Sequence, residues 1–370
     1  MRTRVRILSF IFLIVLALST VALTQSSAVV LKTPLGISPE KAAYYIHAVI
    51  EADRTIYSQY LVDRLKETVN LNATENWKKD KTLPLPAQFL LMSSERVRSK
   101  NVGLDFRLMS LWPINKTHEA RTENEKKGLQ EVIKNPDKPY TWIRKTDNEL
   151  TYNAVYADKA VAKRCVSCHN NHPKSSKRDF KLNDVMGGIL LAFPINQTLD
   201  EDNNPTYHVP PEVVTDYIHA ILEADRIVYA RHVVNRLQKE NVIYSSENWW
   251  EENTLLLPAQ FMLNASDLIR NLRLGLDYRL ISLWPINPQN GAADKFERAG
   301  LESVASYPLR PYIRTTYVGD QKFFQAVYPD LAVTPSCVEC HNAHPGSPKH
   351  DFKLYDVMGG IVMSIPLDHD

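Results

Sequence analysis

All four cysteines of the chain sit in two short stretches, Cys165-Val166-Ser167-Cys168-His169 and Cys337-Val338-Glu339-Cys340-His341. Each is followed closely by a second histidine, His172 or His344. Two thiols three residues apart can reach the two vinyl groups of one haem edge as thioethers, and a histidine directly after them can sit under the iron. Other uses of paired cysteines fit less well. A thioredoxin-type pair needs a thiol of depressed pKa at a helix N-terminus and gives no reason for the histidine. A zinc site built from both pairs would draw its ligands from opposite halves of the chain, far from ribbon spacings. A disulfide across three residues would close almost no loop. The pattern therefore predicts two covalent haem c groups per chain. Cys165, Cys168, Cys337 and Cys340 are the attachment points, and His169 and His341 the proximal iron ligands.

The elements that must position these motifs occur twice. An offset of 172 residues separates Cys165 from Cys337 and recurs along most of the sequence. Glu51-Ala52-Asp53-Arg54 returns as Glu223-Ala224-Asp225-Arg226, Leu85 to Phe89 as Leu257 to Phe261, and Ser110 to Asn115 as Ser282 to Asn287. Solenoid repeats run about 20 to 50 residues, so this is a duplicated domain. The expected boundaries are 37–198 for the first haem domain, 199–208 for a polar, proline-bearing linker and 209–370 for the second.

Within one unit, Ile46, Val49, Ile50, Ile56 and Tyr57 recur at helical spacing over residues 39–68, with Ser38 and Pro39 as the start signal. Helices are also expected over 86–100 and 122–134, and strands over 106–112, 152–156 and 188–193. Helices first, then strands around a helix, indicate an α+β fold with an antiparallel sheet.

Residues 1–28 read as a signal peptide: Arg2, Arg4 and Arg6, an apolar run from Ile7 to about Leu23, then Ser26-Ser27-Ala28. The same run could stay as an uncleaved membrane anchor, because spanning takes roughly 17 to 25 apolar residues. Both readings export the remainder, so a periplasmic location is expected. The chain of 370 residues carries a net charge of +2. Without the leader it would hold 41 basic against 42 acidic residues. That balance gives no electrostatic case for a nucleic-acid partner.

With the residues after the cysteine motifs added, Asp179 to Leu182 and Asp184 to Gly188 and their copies at Asp351 to Leu354 and Asp356 to Gly360, the chain resembles a PAS-like c-type haem domain family. That family was first catalogued as a domain of unknown function and is found in exported proteins and receptor sensor domains. The resemblance covers both units and implies two tandem PAS-like domains, each an antiparallel sheet flanked by helices with a long N-terminal helix. It carries haem onto Cys165, Cys168 and His169, and onto Cys337, Cys340 and His341. Some members place a distal cysteine on the N-terminal helix, and this chain has no cysteine left for it. His47 and His219 on that helix are the candidate distal ligands, with Tyr57 and Tyr229 behind them; the alternatives are a core histidine and a sixth position that is open or holds water. His172 and His344 follow the proximal histidine by one helical turn and are expected to support it from the same side. Asp53 and Asp225 face the core side of their helix, where an arginine such as Arg107 or Arg279 would be the expected partner.

Two haems and no recognisable catalytic module favour an exported dihaem c-type cytochrome that moves electrons between redox partner proteins, an electron carrier rather than an enzyme. The alternative is a haem-based redox or gas sensor acting through a separate partner.

Overall fold

The computed structural model describes residues 36–367. The leader at residues 1–28, with its cleavage or anchoring, lies outside them. The first long helix, α1 (Pro39–Ile56), starts where Ser38 accepts a hydrogen bond from the Lys41 amide and Pro39 fills the first turn. It buries Ile46, Val49, Ile50 and Ile56 as its apolar spacing requires. Then it widens into a π-helical segment, Tyr57–Asp63, before closing as a short α-helix, Arg64–Val69. Helix α2 (Pro86–Ser99) packs beside it, and α3 (Glu123–Lys134) covers the other side of the sheet through Leu129 and Val132.

The sheet of this first copy holds β1 (Asp105–Met109), β2 (Tyr140–Lys145), β3 (Leu150–Lys159) and β4 (Val185–Pro194) in the order β1-β4-β3-β2, all antiparallel. Between β3 and β4 the chain makes helix α4 (Lys163–Asn171), which carries the first cysteine motif. The register of β3 on β4 shifts at Asp158/Lys159, opposite Gly187. A side chain at Gly187 would collide with the Met109 carbonyl of β1. The glycine is therefore explained by the approach of a neighbouring strand.

Residues 199–208, expected as a linker, take part in a hairpin of β5 (Asn196–Leu199) and β6 (Pro205–His208). The second copy then repeats the first. Helix α5 (Pro211–Val228) runs into π-helical Tyr229–Asn235, and α6 (Pro258–Asn271), α7 (Lys295–Ser306) and α8 (Pro335–Ala343) follow. Strands β7 (Asp277–Ile281), β8 (Tyr312–Val318), β9 (Gln321–Leu331) and β10 (Val357–Pro366) pair in the matching order β7-β10-β9-β8. The α+β class and the two antiparallel sheets agree with the sequence expectation.

The two copies form one compact unit. Helix α1 packs on α6 and on α5, and α2 packs on α5, so each copy offers the same helices to the other. Such self-complementary contact is the pattern of an isologous dimer interface. Arg64 of the first copy donates to the carbonyls of Trp249 and Thr254, with its guanidinium 4.7 Å from the Trp249 ring centroid. Arg236 of the second copy returns the contact to the carbonyls of Trp77 and Thr82, 4.8 Å from the Trp77 ring.

The centre of this interface corrects one expectation. Asp53 and Asp225 are fully buried and meet each other, carboxyl to carboxyl, across the two copies. Burial and the facing carboxyl hold Asp53 well above the usual carboxylate range. Asp225 is pushed up to about 6 by burial, against the hydrogen bonds offered by Asp53 and by the Ser93 hydroxyl. Two like charges this close cannot both ionise at low cost, so the pair keeps a proton. The arginines expected as partners are engaged elsewhere: Arg107 with Glu125 at 2.6 Å, and Arg279 with Glu297.

Candidate functional site

Helix α4 begins where Asp63, on the π-helical segment, accepts hydrogen bonds from the amides of Lys163 (2.9 Å) and Arg164 (3.2 Å). Negative charge at a helix N-terminus is favourable, and the contact fixes the motif helix to the end of α1. In the second copy Asn235 and Ser336 are hydrogen-bonded at the same place. Along α4, Cys165 is half-buried and Cys168 exposed, both as free thiols. Cys165 packs in a small cluster with Trp112, Ala160, Phe180 and Met186, and Cys337 in the matching cluster of Trp284, Ala332, Phe352 and Met358. His169 stands edge-on to Phe180, ring centroids 6.0 Å apart, and His341 meets Phe352 in the same way.

Burial lowers the pKa of both His169 and His341, which keeps the imidazoles neutral. Nδ1 of His341 is buried without a hydrogen-bond partner. Burial raises the thiols of Cys165, Cys168 and Cys340. Two thiols and an imidazole on one short helix suit addition to a vinyl edge and ligation of iron.

The second histidine of each motif is held as expected. Nδ1 of His172 accepts from the Lys174 amide at 3.1 Å while Nε2 faces Glu75 at 3.4 Å. His344 repeats this with the Gly346 amide and Glu247. Both ring nitrogens are occupied, and the residue braces the turn after the motif.

A cavity of about 1190 Å³ opens beside α4. Cys165, Cys168 and His169 line it together with Trp112, Met109 and Met186. Its volume exceeds that of most small-molecule sites, roughly 300 to 1,000 Å³, so a haem-sized group fits.

The wall contributed by the first long helix consists of Arg54, Ser58, Val62 and Lys66. A strict four-residue step drifts by about 40° each time in an α-helix. The wider winding of the π-helical segment keeps these residues in line, a device common at functional sites. Arg54 pairs with Asp158 at 2.5 Å and donates to the Lys159 carbonyl at 3.3 Å, yet its Nη1 has no partner among the described residues. Ser58 is fully buried and its Oγ is likewise unpartnered. In the second copy Arg226 pairs with Asp330 at 2.5 Å, and Ala230 stands where Ser58 does.

His47 is not part of this wall. It lies seven residues before Arg54 on the same stripe, which places it about 10 Å further along the helix axis. There it stacks on Tyr156, centroids 4.0 Å apart, with burial and the Arg54 charge pushing its pKa down to about 3. His219 stacks on Tyr328 at 4.2 Å, its pKa pushed down to about 4 by burial. Both imidazoles stack further along the same face of the helix, and the Nε2 atom of each is buried with no hydrogen-bond partner among the described residues. Tyr57 and Tyr229 are core residues, each hydroxyl donating at 2.8 Å to a carbonyl, that of Pro84 or Leu256. Of the residues that do line the wall, Arg54 belongs to the repeated Glu-Ala-Asp-Arg run, and Ser58 is not repeated. The four-residue spacing of Arg54, Ser58 and Val62 was their one available signal.

Comparison with known proteins adds the family. The Tll0287-like family model matches residues 37–194 and again 212–366. Among solved structures, that of the cyanobacterial haem protein Tll0287 is similar at 15% identity and a TM-score of 0.27, covering 43% of this chain and 97% of that one. No curated protein matches the chain. The chain belongs to the Tll0287-like family, in two tandem copies.

Proposed function

We propose that this chain is an exported c-type cytochrome holding two haems, one on each of α4 and α8, and that it carries electrons between redox partner proteins. The observation that carries the reading is the repeated arrangement of two free thiols and a burial-neutralised histidine on one short helix. In the first copy that helix faces a cavity of suitable size. Cys165 and Cys168 would hold the first haem with His169 as axial ligand; Cys337, Cys340 and His341 would hold the second. The haem supplies a one-electron couple. The chain supplies orientation through the helix caps at Asp63 and Asn235, and apolar cover through Trp112, Phe180, Trp284 and Phe352. Cover of this kind raises the cost of charge on the iron and so tunes the potential. The N-terminal segment would export the chain or tether it at the membrane, on the periplasmic side.

A pyridine haemochrome assay on protein matured in the periplasm is expected to find two c-type haems per chain. His169→Ala and His341→Ala should each perturb one haem and leave the other intact. Protein with zinc, or with no Soret absorbance, would end the reading.

A second reading, a ligand or redox sensor, is favoured by the buried, unpartnered donors of Arg54 and Ser58 on the cavity wall. Iron that stays low-spin in both redox states supports electron transfer; high-spin iron that takes up CO or NO supports sensing.

A further inference from the structure

The two sites share their cysteine motifs and their buried arginine, but the first cavity is lined differently from its counterpart. Besides Arg54, four cations line it: Lys66, Lys116, Arg164 and Lys174. The equivalent positions of the second copy are Gln238, Pro288, Ser336 and Gly346, none of them charged. Acidic residues stay equal in number. The first cavity has Glu75, Glu119 and Asp158, while the second copy keeps Glu247 and Asp330, loses Glu119 to Gly291 and gains Glu339 opposite Ser167. Five cations against three carboxylates therefore become one cation, Arg226, against three.

The mouth of the first cavity attracts anions, and the second copy's equivalent positions repel them. Charge of one sign around a low-dielectric cleft concentrates counter-charged solutes there and speeds their entry. Deeper in, the first cavity presents Arg54 Nη1 and Ser58 Oγ, two buried donors without partners. Leaving such groups unsatisfied is costly, and an anion accepting from both would recover that cost. Ala230 removes one donor from the second site.

We infer that the first cavity, and not its counterpart in the second copy, binds a small inorganic anion, drawn in past Lys66, Lys116, Arg164 and Lys174 and held by Arg54 and Ser58. The inference rests on the dihaem reading for the surroundings of the anion, while its donors belong to the polypeptide.

Azide is a suitable probe. Haem-loaded protein is first shown by pyridine haemochrome to carry two haems per chain, a result that decides the dihaem reading and is independent of azide. Calorimetry and Soret titration are then expected to give one azide bound per chain, with the spectrum of one haem perturbed and affinity falling as salt rises. Ser58→Ala should weaken binding roughly tenfold, as expected for a lost hydrogen bond to a charged group. A chain carrying Lys66→Gln, Lys116→Gln, Arg164→Ser and Lys174→Gly, all surface changes, should bind azide more slowly and with a flatter salt dependence. Two azides of equal affinity, none at all, or unchanged binding in Ser58→Ala would overturn the inference, with the haem count standing as measured.

Discussion

Glu51 and Glu223 occupy the same place in the two copies, one residue pair before the central aspartate, and yet they carry opposite electrostatic states. Burial pushes Glu51 up to about 7, and its oxygen Oε2 has no partner. Glu223 is lowered below its ordinary value, because Lys100 of the first copy forms an ion pair with it across the interface. The position that would return this favour to Glu51 holds Leu272. The same asymmetry reaches the central carboxyls, where Ser93 lies beside Asp225 and its counterpart beside Asp53 is Ala265. The frame of the molecule is thus close to two-fold symmetric while its charges are not. A buried acid's state is set by what the other copy supplies, so a residue matched between repeats is not a residue with a matched role.

The largest expected effect tests the symmetric part. Arg64→Ala removes donors to three carbonyls, those of Tyr60, Trp249 and Thr254, two of them across the interface. Urea unfolding should show a loss of at least about 3 kcal/mol, given about 1–3 kcal/mol for each stranded buried group. Arg236→Ala should match it; a silent result in one copy alone would mean that the geometric mirror is not an energetic one.

The next effect makes the acids alike. Lys100→Leu strands Glu223 as Glu51 is stranded. The cost should be about 2 kcal/mol at pH 8, as for a partly buried pair broken on one side, and much smaller at pH 5, where the lone carboxyl can take a proton. Equal losses at both pH values would show that Lys100 contributes packing and not charge.

The smallest effect concerns the slope of stability against pH. A carboxyl raised in the folded state holds a proton there that the unfolded chain releases, so stability falls as pH rises from its unfolded to its folded pKa. For Glu51 the window runs from about 4.3, its value in the unfolded chain, up to about 7. The Asp53–Asp225 pair adds to the same slope, with Asp225 titrating near 6. The lowered His47 and His219 act in the opposite sense below about pH 6.5, so the Glu51 contribution is a decline between about pH 4 and 7 read as the difference between the melting curves of the protein and its variants. Glu51→Gln should flatten the upper half of that decline, and Leu272→Lys should do the same by offering the missing cation. A decline unaltered in both variants would place its origin elsewhere.

The repeat, the long first helix and the helices Pro86–Ser99 and Glu123–Lys134 were legible in the sequence, because each rests on local spacing. Three of the four strands of each sheet were also visible through their apolar runs. Strand β2 was not, since it is an exposed edge whose sequence, Tyr140 to Lys145, mixes aromatic and charged residues without alternation. His47 and Arg54 share one face of the first helix, because seven residues close nearly two turns, but periodicity fixes an angle and says nothing of where along the axis a cavity begins. Asp53 was read as buried, which it is. Its partner could not be read, because that partner comes from packing one copy on the other, and the spacing within either copy carries no trace of it.

The hairpin between Asn196 and His208 has one more consequence. An interface joined by a short tether sees its partner at millimolar effective concentration however dilute the protein becomes. Dissociation by dilution is then closed to it, as it would not be to two separate chains. A true homodimer must also place any residue near its axis against an identical one, so a change on one side is imposed on both. The tether lifts that constraint. Lysine can face glutamate on one side and leucine on the other, and a serine can sit beside only one of two aspartates. Covalent joining has converted a symmetric surface into one that can be edited one half at a time.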